Sequence, residues 1–380
     1  MWNKLSGQFW VVEILFLSLL LLVGKTTFAQ SNDIVIGQST ALTGILAELG
    51  VAHSNGAKAY FDYVNAQGGV NGRKLRYVVL DDGYDAARSL LNARQLIEKE
   101  KALALFGMIG TPANTALLPL LEEANIVNFA PVTGADVVRK PFNRHTFNIR
   151  AGYSAETEKI VDHLSVRGIR KIGVVYLNNA FGKEGLAGIE QAAARHQLKL
   201  SAVASISNDS SDLDKAVSTM EAAELQSIIL ITTGKPSSDF IQAFNKKVKG
   251  IQYFALSVLA SQSSIRALGK DGVGMIISQV LPFPFSATTS LVREYQKVMS
   301  KMGVKEYSYL GIEGFLDAKV LVEALKRAGK DVNSERLLTT LDAMGKTDFD
   351  GFVVNFSKTL HQGSDYVELT VVSKDGRFLR

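Results

Sequence analysis

Short apolar runs alternate with helical stretches along most of this 380-residue chain, and the alternation starts twice. The first series opens with an apolar run at residues 34–36 and a helical stretch at 52–67. The second opens with a helical stretch at 154–166 and an apolar run at 171–177. Strands that alternate with helices are typical of parallel sheets covered by helices. The sequence therefore predicts an α/β fold with two parallel-sheet lobes.

The way the second series ends indicates how the lobes are connected. Pro282 and Pro284 interrupt regular structure there, and two further helical stretches follow at 290–302 and 311–328. If those helices return to the first lobe, the chain crosses between the lobes several times and leaves a cleft. We predict that residues 33–149 and 283–355 form the first lobe, and that residues 150–282 and 356–380 form the second.

The first 29 residues have the pattern of an export signal. Lys4 precedes an apolar segment at residues 9–23. In the segment Thr27, Phe28 and Ala29, the first and last residues are small, as a signal-peptide cleavage site requires. The alternative is a membrane anchor, although the segment is short for a span of about 20 apolar residues. We predict cleavage after Ala29, with Glu13 as the residue that fits a signal least, and a periplasmic location.

Composition excludes several classes of function. The chain carries 42 Lys and Arg against 37 Asp and Glu, and no concentrated basic segment of the kind that binds nucleic acid. It has no cysteine, which excludes disulfides, thiol catalysis and thiolate metal sites. Its five histidines lack the spacing of metal ligands, and no nucleotide-binding or hydrolase motif is present. We therefore predict no enzyme activity, no metal and no cofactor.

The stretch from Phe106 to Ala135 carries the clearest candidate site. An apolar run at 102–106 leads to Thr111 and Pro112, where a helix is expected to begin, and a second run at 126–130 leads to Thr133. Neighbouring parallel strands bring such residues to one edge of a sheet, and free N–H groups such as that of Ala113 bind anions there. Alternatively, Thr111 and Thr133 are only helix caps.

Several further segments, together with this stretch, resemble a known family. The segments occur in the same order as in that family, and they are spread over nearly the whole chain after residue 29. The sequence resembles the type I periplasmic substrate-binding proteins of ABC importers, typified by the leucine/isoleucine/valine-binding proteins. The matching segments are residues 36–39 and 42–44, 65–73, 81–85, 106–114, 128–135, 178–185 and 313–315.

This resemblance implies two Rossmann-like lobes, joined by a three-segment hinge, that close on a small-molecule ligand. It also implies partnership with permease subunits, and we expect a monomer. In amino-acid binders of this family an acidic residue of the second lobe takes the ligand's ammonium group, and here that position holds Ser257. The ligand-binding residues expected from the resemblance and the sequence are Thr43, Leu49, Thr111, Pro112, Ala113, Thr133, Phe181, Ser257 and Glu313.

The presence of Ser257 in place of an acidic residue affects which ligand is expected. An ammonium group enclosed in a cleft needs an acidic partner, because an unpaired buried charge is costly. We therefore expect a small organic carboxylate, including aromatic acids. The alternatives are a branched-chain amino acid, with Glu313 or Glu48 as the ammonium partner, and a ligand-sensing module that signals to a regulator or receptor.

Overall fold

The first sheet has five parallel strands in the order β2-β1-β3-β4-β5. In this computed structural model, residues 33–304 and 306–380 are described, so the predicted signal segment and its cleavage site at Ala29 lie outside the described residues. The central strands of this sheet are almost wholly buried because helices cover both of its faces. The strands are β1 Ile34–Thr40, β2 Leu75–Asp81, β3 Ala104–Phe106, β4 Val127–Phe129 and β5 Thr146–Phe147.

Helices connect these strands and cover the first sheet. Asp85 begins the second of them by accepting a hydrogen bond from the Arg88 N–H at 2.7 Å. Asp85 is thus the N-cap of this helix. The helices are α1 Ala47–Ala66, α2 Ala86–Glu98 and α3 Thr111–Glu123.

The second sheet has seven strands in the order β14-β13-β10-β9-β8-β6-β7. The first five in sequence are parallel, whereas β13 and β14 are antiparallel additions at one edge. The prediction of parallel sheets is therefore correct for the first sheet, and the second sheet is mixed. The strands are β6 Ile172–Leu177, β7 Leu200–Ile206, β8 Ser227–Ile231, β9 Gln252–Ala255, β10 Ile276–Gln279, β13 Glu368–Val372 and β14 Phe378–Leu379.

The second sheet has its own set of helices, and later helices return to the first sheet. These elements are α4 Tyr153–Val166, α5 Ala180–Arg195, α6 Leu213–Glu221, α7 Gly234–Lys247, α8 Gln262–Leu268, α9 Ser290–Lys301, α10 Tyr309–Ala328 and α11 Ser334–Asp342. The strands β11 Gly345–Asp348 and β12 Val353–Phe356 form a separate antiparallel pair. We call the first sheet with α1–α3 and α9–α11 the first lobe, and the second sheet with α4–α8 the second lobe.

Glycines allow helix α10 to pack closely against α1 of the first lobe. Helix α10 crosses α1 so closely that a Cβ atom on Gly56 would lie 2.0 Å from the Gly311 carbonyl oxygen. A Cβ atom on Gly314 would lie 2.0 Å from the His53 carbonyl oxygen. Only glycine permits this contact between backbones. The crossing places α10 beside the junction between the lobes, while the residue limits of the lobes stay a prediction.

The chain passes between the two sheets after β5, after β10 and after β12. The first and third of these segments pair with each other. The Asn148 N–H donates to the His361 carbonyl at 2.8 Å, and the Gly363 N–H donates to the Asn148 carbonyl at 2.7 Å. These bonds hold the two crossing segments side by side at the hinge.

Candidate functional site

A small cavity of about 20 Å³ lies where the carboxyl ends of strands from both sheets meet. This volume holds about one water molecule, so the lobes are closed on each other. Its walls are mostly apolar, and no residue among them carries a formal charge. The lining residues are Leu46, Leu49, Tyr84, Ile109, Gly110, Thr111, Val132, Tyr153, Phe181, Thr233 and Val258.

The residues predicted for the site fall into three groups. Leu49, Thr111 and Phe181 line the cavity. Pro112, Ala113 and Thr133 lie directly behind Thr111, in the first turn of α3 and in the loop after β4. Thr43, Ser257 and Glu313 are not among the lining residues, and each is held by other partners.

Thr43 belongs to a loop that Asp81 stabilises. The Thr43 hydroxyl donates to Asp81 Oδ2 at 2.7 Å, and the Leu42 N–H donates to Asp81 Oδ1 at 2.8 Å. The hydrogen bond from Thr43 is the main reason why the pKa of Asp81 is lowered to about 2. The loop therefore keeps its shape through the ionised Asp81, and Thr43 itself is exposed.

The Thr111 side chain faces the loop after β4 instead of capping its helix. Its Oγ1 lies 2.7 Å from Thr133 Oγ1, which also accepts from the Ala135 N–H at 3.2 Å. The N-cap of α3 is Gly110, with a φ of 97° and no side-chain hydrogen bond. The interpretation of Thr111 as an N-cap is therefore wrong. The first N–H groups of a helix have no intrahelical partner, so α3 directs free donors toward this hydroxyl pair.

The second lobe adds a hydroxyl that the sequence interpretation missed. Thr233 follows β8 at the N-cap position of α7, and its buried Oγ1 has no hydrogen-bond partner. A signal was present in the sequence, because Thr233, like Thr111, lies at the start of a helix that follows a buried strand. The cavity thus has a hydroxyl and a helix N-terminus from each lobe.

Aromatic rings form the second main part of the wall. Phe181 packs edge-on against Tyr153, with 5.4 Å between ring centroids. Tyr84 lies over Gly110, where a Cβ atom would come within 2.5 Å of the tyrosine ring. These rings give the cavity an apolar surface that suits an apolar ligand tail.

Ser257 and Glu313 are both bound to a buried arginine behind the cavity. The Ser257 N–H donates to Glu156 Oε2 at 2.8 Å, and its hydroxyl accepts a hydrogen bond from Arg150. Arg150 Nη1 lies 3.3 Å from Glu313 Oε1. Burial raises the pKa of Glu313 to about 7, although the charge of Arg150 opposes this effect. Glu313 is therefore paired within the protein, and sequence analysis did not identify Arg150 and Glu156.

The comparisons with known proteins identify the family. A family model described as periplasmic binding protein matches residues 33–377. The chain belongs to the periplasmic binding protein family. A protein named Leu/Ile/Val-binding protein homolog 8 from Brucella abortus (strain 2308) is 24% identical over 88% of this chain and 87% of that protein.

Solved structures of periplasmic binding proteins match the fold. A substrate-binding periplasmic protein from Ralstonia solanacearum is 31% identical, with a TM-score of 0.86 over 91% of this chain and 99% of that chain. A possible leucine/isoleucine/valine-binding protein from Rhodopirellula baltica SH 1 is 27% identical, with a TM-score of 0.88 over 93% of this chain and 98% of that chain. The predicted fold class is thus confirmed.

This periplasmic binding protein also has polar contacts between its lobes at the edges of the cleft. Glu48 of α1 accepts a hydrogen bond from the Ser263 N–H of α8 at 2.9 Å. Near the hinge, Glu184 of α5 accepts from the Asp136 N–H at 2.8 Å. Glu48 is thus engaged by the second lobe and does not face the cavity.

We expect Glu48→Gln to weaken ligand binding two- to fivefold. The hydrogen bonds of Glu48 join residues of both lobes, so we expect them to form only when the lobes close, and partly exposed pairs contribute about 1 kcal/mol or less. Titration calorimetry measures the affinity, and small-angle scattering with saturating ligand measures closure. Equal affinity and equal compaction of the variant and wild type would show that Glu48 does not stabilise the closed state.

Other kinds of site are not found in the described part of the chain. Residues 33–304 and 306–380 contain no group of three His, Cys, Asp or Glu side chains that could hold a metal ion. Within the same residues, every helix is too short or too polar to span a bilayer.

Proposed function

We propose that this periplasmic binding protein captures a small organic carboxylate between its lobes for an ABC importer. The observation that supports this most directly is the combination of hydrogen-bond donors with walls that carry no charge. Thr111, Thr233 and the N-terminus of α3 are positioned to donate hydrogen bonds to an anion. None of the described lining residues is an acid that could pair with an ammonium group.

The apolar part of the cavity indicates the shape of the ligand. Phe181, Tyr153 and Tyr84 present ring surface from both lobes, and the remaining walls are largely aliphatic. Burying an apolar group against them contributes about 25 cal/mol per Å² of surface. We infer that the ligand has an aromatic or branched apolar tail attached to its carboxylate.

The alternative ligand is a branched-chain amino acid, which the name of the Brucella relative favours. Its ammonium group would need Glu313 or Glu48. In the closed structure Glu313 is paired with Arg150, and Glu48 is hydrogen-bonded to Ser263. Neither acid lines the cavity, so the ammonium group of an amino acid would have no acidic partner among the lining residues.

Titration calorimetry with two ligand sets tests the proposal. We expect heat of binding from benzoate-type and short aliphatic acids, and none at comparable concentrations from leucine, isoleucine and valine. Tight binding of leucine without a response to any deaminated acid would reject the proposal in favour of the amino acid.

The proposal includes export to the periplasm, and this carries its own prediction. We expect the mature protein to begin at or near Gln30, because Thr27, Phe28 and Ala29 follow the apolar segment. N-terminal sequencing of protein recovered from the periplasmic fraction measures this. A mature chain that retains residues 9–23 would instead support a membrane anchor.

A further inference from the structure

Arg150 is the centre of a buried charge cluster that joins the two lobes. Its side chain is 2% exposed and lies on the first crossing segment, after β5. Nη2 lies 3.8 Å from Glu156 Oε1 on α4, and Nη1 lies 3.3 Å from Glu313 Oε1 on α10. One guanidinium group therefore faces one carboxyl group from each lobe.

The cluster lies directly behind the wall of the cavity. Arg150 donates to the hydroxyl of Ser257, and the next residue, Val258, lines the cavity. Tyr153 also lines the cavity. Burial raises the pKa of Tyr153, whereas the nearby charge of Arg150 and a hydrogen bond with Thr133 lower it. The charge of Arg150 therefore acts on Tyr153 at the cavity wall, next to the hydroxyl groups of Thr111 and Thr133.

Arg150 balances the acids that surround it. Besides Glu156 and Glu313, the cluster contains Asp317 of α10 and His53 of α1, with His53 Nε2 3.1 Å from Asp317 Oδ2. Burial lowers the pKa of His53 to about 4, so His53 is neutral at pH 7. Burial raises the pKa of Asp317 well above its ordinary value. Arg150 is therefore a cation shared by Glu156 and Glu313, and its charge opposes the burial that raises the pKa of Glu313. A second guanidinium group, that of the partly buried Arg139, donates to the Arg150 carbonyl.

We propose that Arg150 determines the charge class of the ligand by neutralising the acids behind the cavity wall. This inference rests on the proposed capture of a carboxylate. With Arg150 in place, an ammonium group entering the cavity meets no unpaired carboxylate, so it loses water without compensation. Without Arg150, Glu156 and Glu313 would lose this guanidinium partner, and the ammonium group of a ligand would be the cation that takes its place. The guanidinium group suits this role because an arginine side chain stays protonated in proteins.

The test compares matched ligands that differ only by the amino group. Leucine is paired with 4-methylpentanoate, and phenylalanine is paired with 3-phenylpropanoate. Wild type is expected to prefer the deaminated member of a pair. Arg150→Gln should reduce this preference at least about tenfold, the effect of about 1.4 kcal/mol in relative affinity. Arg150→Lys, which keeps the positive charge, should retain the wild-type preference.

Two further variants make the result specific. Arg195→Gln removes a positive charge from an exposed pair with Glu158 and should leave the preference unchanged. Glu313→Gln keeps Arg150 and removes an acid, so it should increase the preference for the deaminated ligand. Because Glu313→Gln shifts the charge balance in the opposite direction, it tests the inference even where Arg150→Gln does not fold.

The outcomes separate this inference from the proposed function. A wild-type protein that prefers the amino acids would overturn both. A wild-type preference for deaminated acids that persists unchanged in Arg150→Gln and Glu313→Gln would overturn only the role of Arg150. Opposite shifts in the two variants, with Arg150→Lys close to wild type, would support it.

Discussion

Thr111→Ala is expected to bind the carboxylate ligand roughly 10- to 150-fold more weakly than wild type. A hydrogen bond to a charged group contributes about 1.5–3 kcal/mol, and Thr111 lines the cavity beside the free N–H groups of α3. Titration calorimetry on the folded variant measures the loss. Because Gly110 and not Thr111 is the N-cap, we do not expect the stability loss of a removed cap.

Thr115→Ala provides the matched control for this prediction. Thr115 lies one turn further along α3, is exposed, and donates to the Thr111 carbonyl at 2.8 Å. The same chemical change at this position should leave affinity unchanged. Thr111→Ser should recover most of the lost affinity because it restores the hydroxyl group. Wild-type affinity in a folded Thr111→Ala protein would show that Thr111 does not contact the ligand.

Wild type is expected to lose about 3 kcal/mol of its free energy of unfolding between pH 4.5 and about 7 because of Glu313. Glu313→Gln is expected to remove this loss. Burial raises the pKa of Glu313 from 4.5 to about 7 in the folded protein. Between these values the unfolded chain loses the Glu313 proton while the folded protein keeps it. Stability from this group is therefore fully present below pH 4.5 and is lost as pH rises to about 7. The variant should not show this loss.

Urea unfolding of wild type and Glu313→Gln at several pH values across this range measures the difference. Asp317, His53, Glu156 and Arg150 are present in both proteins, so the comparison removes the part of their titration that does not depend on Glu313. Glu123→Gln on α3 is the control, because its side chain is 64% exposed. Parallel stability curves for wild type and Glu313→Gln would contradict the account of a buried, proton-holding Glu313.

The regular elements were predictable because their sequence patterns are local. The run at residues 102–106 predicted β3, and the helical stretch at residues 154–166 predicted α4, since each depends on neighbouring residues. The antiparallel pairing of the edge strands β13 and β14 was not predicted. Their antiparallel pairing is a long-range contact of the C-terminus with β10, which no short pattern specifies.

The charge cluster was not predictable for a related reason. Arg150 lies in a short crossing segment, where a single arginine is ordinarily exposed. It is buried only because Glu156 and Glu313 approach it from helices of different lobes. The start of α3 was misread because a left-handed glycine, Gly110, provides the cap position that Thr111 was expected to fill. Both features depend on backbone geometry and tertiary contacts.

Mass spectrometry of the ligand released from the purified, natively folded protein tests the central proposal most directly. The closed cavity has hydrogen-bond donors from both lobes and no acid among its described lining residues. We therefore expect a small carboxylate with an apolar tail and no amino group. Recovery of leucine, isoleucine or valine in stoichiometric amount would contradict the proposal and make Glu313 or Glu48 the residue to examine as ammonium partner.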